Sequence, residues 1–498
     1  MPYRGTPFLP LVVLVLAAAC GGGDGGTDPE PGPTGPATVR IVAGGGQTDT
    51  IQALLAQAVT VEVRDASNQP LPGVSVLLAS LPVQGSQAGV RFVLDPPAEP
   101  APQQVLRTGA DGRATTRVRM DTVAGRTGIM ATVGALSDSV LVEVQPGRPV
   151  RIAMDVRDTT VYPPATYALQ ASGLDRYRNA VPAQLTASPR ISVAQQQVQV
   201  PVIGRHHVVV QSGGVRDTSW VSAVPTGTLA VRHAGFRPNS SESFSDVVTI
   251  GLDGLNRRVV VGGGYGFDPV PRWYPGGDSL IWFQDRSYAL VHRTAATASG
   301  GGELVLTTGL TVRWASAETG WIYLSASSEP DEAKSGWQIW RVRTDGTARE
   351  QLTEYTRLRF DHYPDVSPDG RRLAFARVEN AGPPVYLWMR DLQTGVETRL
   401  VEHGTQPRWS PSGDRIAYIG LSNTLMMLTP AGGAPTALGQ PVIDVTWSPD
   451  GEYLVVTGAP DGRSIAYLYV IVLATGEAIP LPWSRNPEDY YLAPDWRP

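Results

Sequence analysis

One cysteine, Cys20, in 498 residues leaves no partner for an intramolecular disulfide and no thiolate set for a metal site. Positive charge is also in short supply. Lys and Arg total 41 against 46 Asp and Glu, a formal net charge of −5, so no basic field draws in nucleic acid phosphates or an anionic bilayer. Nucleic acid is not an expected partner. Motifs that announce chemistry are missing as well: there is no G-x-S-x-G elbow and no H-E-x-x-H. The glycines of Gly262–Gly266 lie between strands and do not open a phosphate-binding helix. His206 and His207 are adjacent, so on a strand they face opposite ways and cannot chelate one ion. No catalytic residue, metal or cofactor is expected.

Long charged helical runs are missing too, whereas Gly (54) and Pro (43) are abundant. That balance favours many short strands joined by turns, an all-β class, and the length suggests about three domains. Apolar residues at 42% are enough for packed cores. At the N-terminus, Arg4 precedes an apolar segment, Phe8–Ala19, that runs through small residues to Cys20. It has signal-peptide length and is too short for a comfortable membrane span. With its cysteine directly after small residues, the segment resembles the lipobox of bacterial lipoproteins. Ala17 stands where that family prefers Leu, with Leu16 one step earlier. The resemblance implies removal of residues 1–19 and lipidation of Cys20. Gly21, in place of a retaining aspartate, points to the outer membrane. Residues 20–36 are a Gly/Pro-rich tether that cannot bury a core.

From residue 37 strands alternate with turns. Val59–Ala79 reads as strand, Asn/Pro/Gly turn and strand, Thr108–Met120 turns at Asp111-Gly112, and Ala131–Val144 closes the set. In this order the motifs resemble bacterial Ig-like domains of the invasin and intimin type, over residues 37–146. Residues 147–225 read as a second, more degenerate copy. The resemblance implies spacers or adhesive modules.

The last half of the chain repeats a short motif: an apolar anchor, a Ser-Pro-Asp-Gly type turn and an alternating strand. The anchors are Trp273, Trp314, Val366, Trp409, Trp447 and Trp496, at steps of 41, 52, 43, 38 and 49 residues, the period of a four-stranded propeller blade. The second copy, Ala315–Gly320, lacks the Pro-Asp-Gly core. Nothing after Trp496 can complete its blade, yet three anchorless strands lie between Gly227 and Gly264. Pairing the two ends closes a ring of six blades without exposed edges. The boxes, blade number and closure resemble TolB-like six-bladed propellers, over residues 226–498. That resemblance implies a periplasmic or cell-surface interaction domain.

Two groups of side chains stand out on this template. Asp268, Asp361, His362, Asp444, Tyr490 and Tyr491 lie just before the anchors, at the expected rim of the central channel, where an acidic and aromatic surface suits a cation, a sugar or a basic peptide. Arg272, Arg313, Asp365, Arg408 and Asp495 directly precede the anchors, and strand alternation turns them toward the neighbouring blade to pair there. The sequence thus reads as a non-enzymatic envelope lipoprotein whose propeller binds an envelope protein or glycan, membrane contact being through the lipid anchor alone. Alternatives are a propeller-scaffolded polysaccharide lyase or hydrolase and a purely structural or adhesive surface protein.

Overall fold

The alternation in Val59–Arg64 buries Val59, Val61 and Val63 and leaves Thr60, Glu62 and Arg64 half-buried, the period of a strand with one face on a core. The computed structural model describes residues 35–93, 99–236, 243–262, 270–283, 290–295, 304–307, 311–318, 320–327, 336–356, 358–380, 382–459, 466–485 and 489–498. The signal segment, Cys20, most of the tether and Asp268 lie outside them. Among the described residues there is no α-helix, and none is long and apolar enough to cross a membrane. The chain divides into two compact units, the first ending at Gly147 and the second running from Arg148 to Pro498.

In the first unit, Thr38–Ala43, Val59–Arg64 and Arg113–Thr116 form one sheet, and Thr48–Thr50, Leu136–Gln145, Gly125–Val133, Ser75–Leu81 and Gln103–Arg107 form another. Both contribute to one core that includes Val61, Val76, Leu78, Phe92 and Ile129. The short strand Thr48–Thr50 runs parallel to the end of Leu136–Gln145. The second unit opens with a smaller set of sheets of the same character, sharing a core that includes Ile152, Leu169, Val198, Val208 and Val221. Here too a short strand, Asp158–Val161, runs parallel to the final hairpin strand Val215–Ala223. His206 is buried and His207 half-buried on that hairpin, on opposite faces.

The remainder is a β-propeller of six four-stranded blades. Blade one is Arg272–Trp273, Ser279–Phe283, Leu290–Ala295 and Leu304–Thr307; blade two is Thr311–Glu318, Trp321–Ser327, Gln338–Arg343 and Arg349–Gln351. Blade three is Phe360–Val366, Arg372–Glu379, Gly382–Asp391 and Glu397–Glu402. Blade four begins with Thr405–Trp409, Ile416–Ile419 and Thr424–Leu428. Its outer strand is the first half of Thr436–Trp447, whose second half becomes the inner strand of blade five. Tyr453–Gly458, Tyr467–Val472 and Glu477–Pro480 complete blade five.

Blade six joins the two ends of the region. Asp489–Trp496 pairs antiparallel with Thr228–Phe236, followed outward by Ser243–Gly251 and Arg258–Val261. The inner strands of blades one to six touch in order, and that of blade six touches that of blade one, so the ring is closed. Closure removes the open edges that would otherwise invite pairing with another chain.

Blade two departs from the repeat. Its first hairpin continues past Trp314 to pair Glu318 with Trp321, so a tight link with Gly320 at φ +80° replaces the Ser-Pro-Asp-Gly turn. Without Pro to preset the first corner, the strands extend until a glycine permits the reversal.

The second sandwich is bonded to the propeller within one unit. Tyr162 donates its hydroxyl to the Gly227 carbonyl (3.3 Å) and accepts from the Asp253 amide (3.1 Å). Ser222 donates to the Pro480 carbonyl at 2.6 Å, and the Arg205 amide donates to Glu477, also at 2.6 Å.

Candidate functional site: the channel of the propeller

Four Trp anchors are almost fully buried, Trp273, Trp409, Trp447 and Trp496 each being 5 to 6% exposed, while the side chain of Trp314 lies outside the described residues. Each is held by the residue just before the preceding blade's anchor. The Trp273 amide donates to the Asp495 carboxylate (2.7 Å) and its indole N–H to the Asp495 carbonyl (3.1 Å). Trp409 repeats both bonds on Asp365 at the same lengths. The Trp447 indole donates to the Arg408 carbonyl (3.0 Å), and the Trp496 amide donates to the Thr446 hydroxyl (3.1 Å). Val366 fills the anchor position of blade three and is buried.

A second link repeats outside the first. Arg372, Arg415 and Arg497 lie over Trp409, Trp447 and Trp273 of the next blade at 4.7, 5.1 and 5.5 Å from the ring centres. Their guanidiniums donate to the carbonyls of turn glycines Gly413, Gly451 and Gly277.

Among the described side chains, the charged residues before the anchors form a cluster of mixed sign with Asp444 on the inner strands; the side chain of Arg313 lies outside them. Arg272 lies 4.0 Å from Asp495, and Arg408 lies 3.7 Å from Asp365 and 3.8 Å from Asp444. The pairing across blades is what strand alternation implied. Burial pushes Asp495 up to about 6 against the attraction of Arg272, and the negative charge of Asp444 adds to the rise. Asp444 is raised for the same first reason, burial. These are recessed carboxyls whose charged forms are poorly solvated. Sequence reasoning missed Thr446 as the blade-five member of the latch, because an uncharged residue did not fit a charge pattern; its position before Trp447 was the available signal.

The five rim candidates among the described residues do not share one environment; the sixth, Asp268, lies outside them. Asp361 is fully buried and accepts two bonds from Arg377, at 2.6 and 2.9 Å. Tyr491 is buried, stacked 4.7 Å from His233 and edge-on to Trp483 at 5.1 Å. Burial lowers His233, whose ring accepts from Arg257 at 2.8 Å. His362 is half-buried among Phe360, Trp337 and Tyr363. Tyr490 is 38% exposed, and Asp444 belongs to the cluster of inner-strand charges. His362, Asp444 and Tyr490 therefore keep partly accessible polar groups at or near the start of the inner strands, while Asp361 and Tyr491 are committed to packing. Among the described residues no group of three His, Cys, Asp or Glu is spaced to hold a metal ion.

No family model matches the chain. It is 30% identical over 114 residues to an uncharacterized protein of Agrobacterium fabrum, covering 20% of this chain and 36% of that one. It is 32% identical over 117 residues to a protein named as an uncharacterized peptidase of Bacillus subtilis, covering 20% and 18%. The chain thus spans about a third and about a fifth of these relatives' lengths. Among solved structures it is similar to TolB from Acinetobacter baumannii, at 13% identity over 70% of this chain and 99% of that one, with a TM-score of 0.44. Oligogalacturonate lyase in complex with manganese gives 12% identity over 54% and 83%, with a TM-score of 0.34. Hydrazine synthase of Kuenenia stuttgartiensis gives 13% over 55% and 47%, with a TM-score of 0.44. The β-propeller assignment stands on the six sheets and the closed ring of inner strands.

Proposed function

We propose that this chain is a non-enzymatic bacterial envelope lipoprotein whose propeller binds an envelope protein or glycan at one mouth of its channel. Cys20 carries the lipid, probing outward from the outer membrane through the tether, and two Ig-like sandwiches act as spacers. The parallel edge strands Thr48–Thr50 and Asp158–Val161, recurring in the two sandwiches, support the Ig-like reading. The observation that carries the binding reading is the closed ring itself, with Asp444, His362 and Tyr490 at or near the start of its inner strands. A toroid presents such positions on one concave surface, a common location for ligand sites.

A pull-down from detergent-solubilised envelope, with the full chain beside a Tyr490→Ala, Asp444→Ala variant of equal melting temperature, tests this reading. Capture of one partner by the unmodified chain alone is the expected result. Equal capture by both would place binding elsewhere. A second reading, a polysaccharide lyase or hydrolase, would draw on the carboxyls of Asp495 and Asp444, which sit on neighbouring inner strands beside Arg272 and Arg408. Chain shortening of an acidic polysaccharide, lost in Asp495→Asn, would establish it.

A further inference from the structure

Between blades two and three lies a cleft of about 420 Å³ bordered by Gln351, Thr353, Glu354, Arg359, Arg390 and Glu397. Gln351 ends the outermost strand of blade two, while Arg390 and Glu397 sit on the two outer strands of blade three. The cleft is therefore lateral, off the channel, and its role is independent of the channel-mouth reading. Its volume falls in the range of small-molecule pockets, roughly 300 to 1,000 Å³.

Its border sets Arg359 and Arg390 beside Glu354 and Glu397, and Glu397 leads inward to Arg377 and Asp361. Both oxygens of Asp361 accept from Arg377. Both oxygens of Glu397 are taken, one by Arg377 at 2.7 Å and the other by Arg390 at 3.2 Å. Arg359 is left over. Its Nε is buried with no hydrogen-bond partner and lies 3.9 Å from Asp361, too far for a bond, while one terminal nitrogen donates to the Glu354 carbonyl. Three arginines thus share the buried Asp361 and the half-buried Glu397, and a buried donor without an acceptor is costly. A carboxylate in the cleft would supply the missing acceptors in the paired geometry that guanidinium favours. The rest of the border is polar: exposed Gln351 and Glu354 offer amide and carboxylate groups to hydroxyls, and the one apolar lining residue, Leu352, is buried.

We propose that this cleft binds a sugar acid, with Arg359 as the carboxylate anchor and Gln351 and Glu354 as hydroxyl partners. Calorimetric titration of the full-length chain with glucuronate, glucose, succinate and inorganic phosphate tests it. Glucuronate is expected to bind and glucose is not, with succinate, which lacks hydroxyls, at least tenfold weaker than glucuronate. Arg359→Gln is expected to weaken glucuronate tenfold or more, about 1.4 kcal/mol, with an unchanged melting temperature. No heat with glucuronate, phosphate binding as tightly as glucuronate, or unchanged affinity in Arg359→Gln would each overturn the proposal. Should Arg359→Gln not fold, Gln351→Ala replaces it, since that side chain is exposed; a severalfold loss supports the site and an unchanged affinity overturns it.

Discussion

Asp495 carries three duties on one carboxyl: it holds the Trp273 amide, it accepts from Thr446 at 3.4 Å, and it faces Arg272. Its folded-state value lies above that of an ordinary carboxyl because burial outweighs those partners. The sign follows directly. A raised acid contributes stability that is fully present below its unfolded value near 3.8 and is lost as pH rises through about 6. The melting temperature should therefore rise as pH falls from about 7 toward 5, and Asp495→Asn should flatten that slope. Parallel profiles for the two proteins, from thermal melts across that window, would contradict the assignment. The position of Asp495 was legible, since the residue before an anchor must face the next blade. Its raised value was not, because Arg272, Asp444 and Asp495 meet only when residues over two hundred positions apart close the ring.

At the scale of the element, the turn after each anchor follows from its residues. In blade five the Ser448 hydroxyl donates to Asp450 and accepts from the Tyr453 amide at 2.9 Å, and Gly451 exits at φ +71°. Blade three repeats this with Ser367, Asp369 and Gly370 at φ +67°. A Cβ on Gly451 would meet Pro411 only at 3.7 Å, an ordinary contact, so strain alone sets the effect of substitution. Gly451→Ala is expected to cost about 1 to 2 kcal/mol, read as a lower denaturation midpoint with an unchanged m-value. A cost near zero would mean that the turn adapts. These turns were readable because each motif is local. The Asp361–Arg377 pair was not: Asp361 reads as a rim carboxylate along the chain, and only the antiparallel register of the first two strands of blade three sets Arg377 opposite it. The cleft above that pair was equally hidden, since its lining comes from two blades.

At the scale of the molecule, the channel and its mouth depend on one long-range event, the return of Asp489–Trp496 to the strand Thr228–Phe236. Trp496 packs there with Leu229, Val231, Val248 and Val470 in a core shared by blades five and six. The need for closure could be read from the sequence as a count, three strands without an anchor and one anchor without strands. The docking of the second sandwich through Tyr162, Ser222 and Arg205 could not, because single bonds between residues 65 to 272 positions apart leave no periodic trace.

Closure is open to a direct measurement. Ala234 and Tyr490 are register partners across the closing pair, and cross-strand neighbours lie within the Cα separation of roughly 4.4 to 6.8 Å that a disulfide spans. In a Cys20→Ser background, Ala234→Cys with Tyr490→Cys leaves two thiols in the whole chain. Mild oxidation followed by peptide mass analysis should recover one intramolecular cross-link joining the two segments. Two free thiols in a folded, monomeric protein would contradict the closed ring.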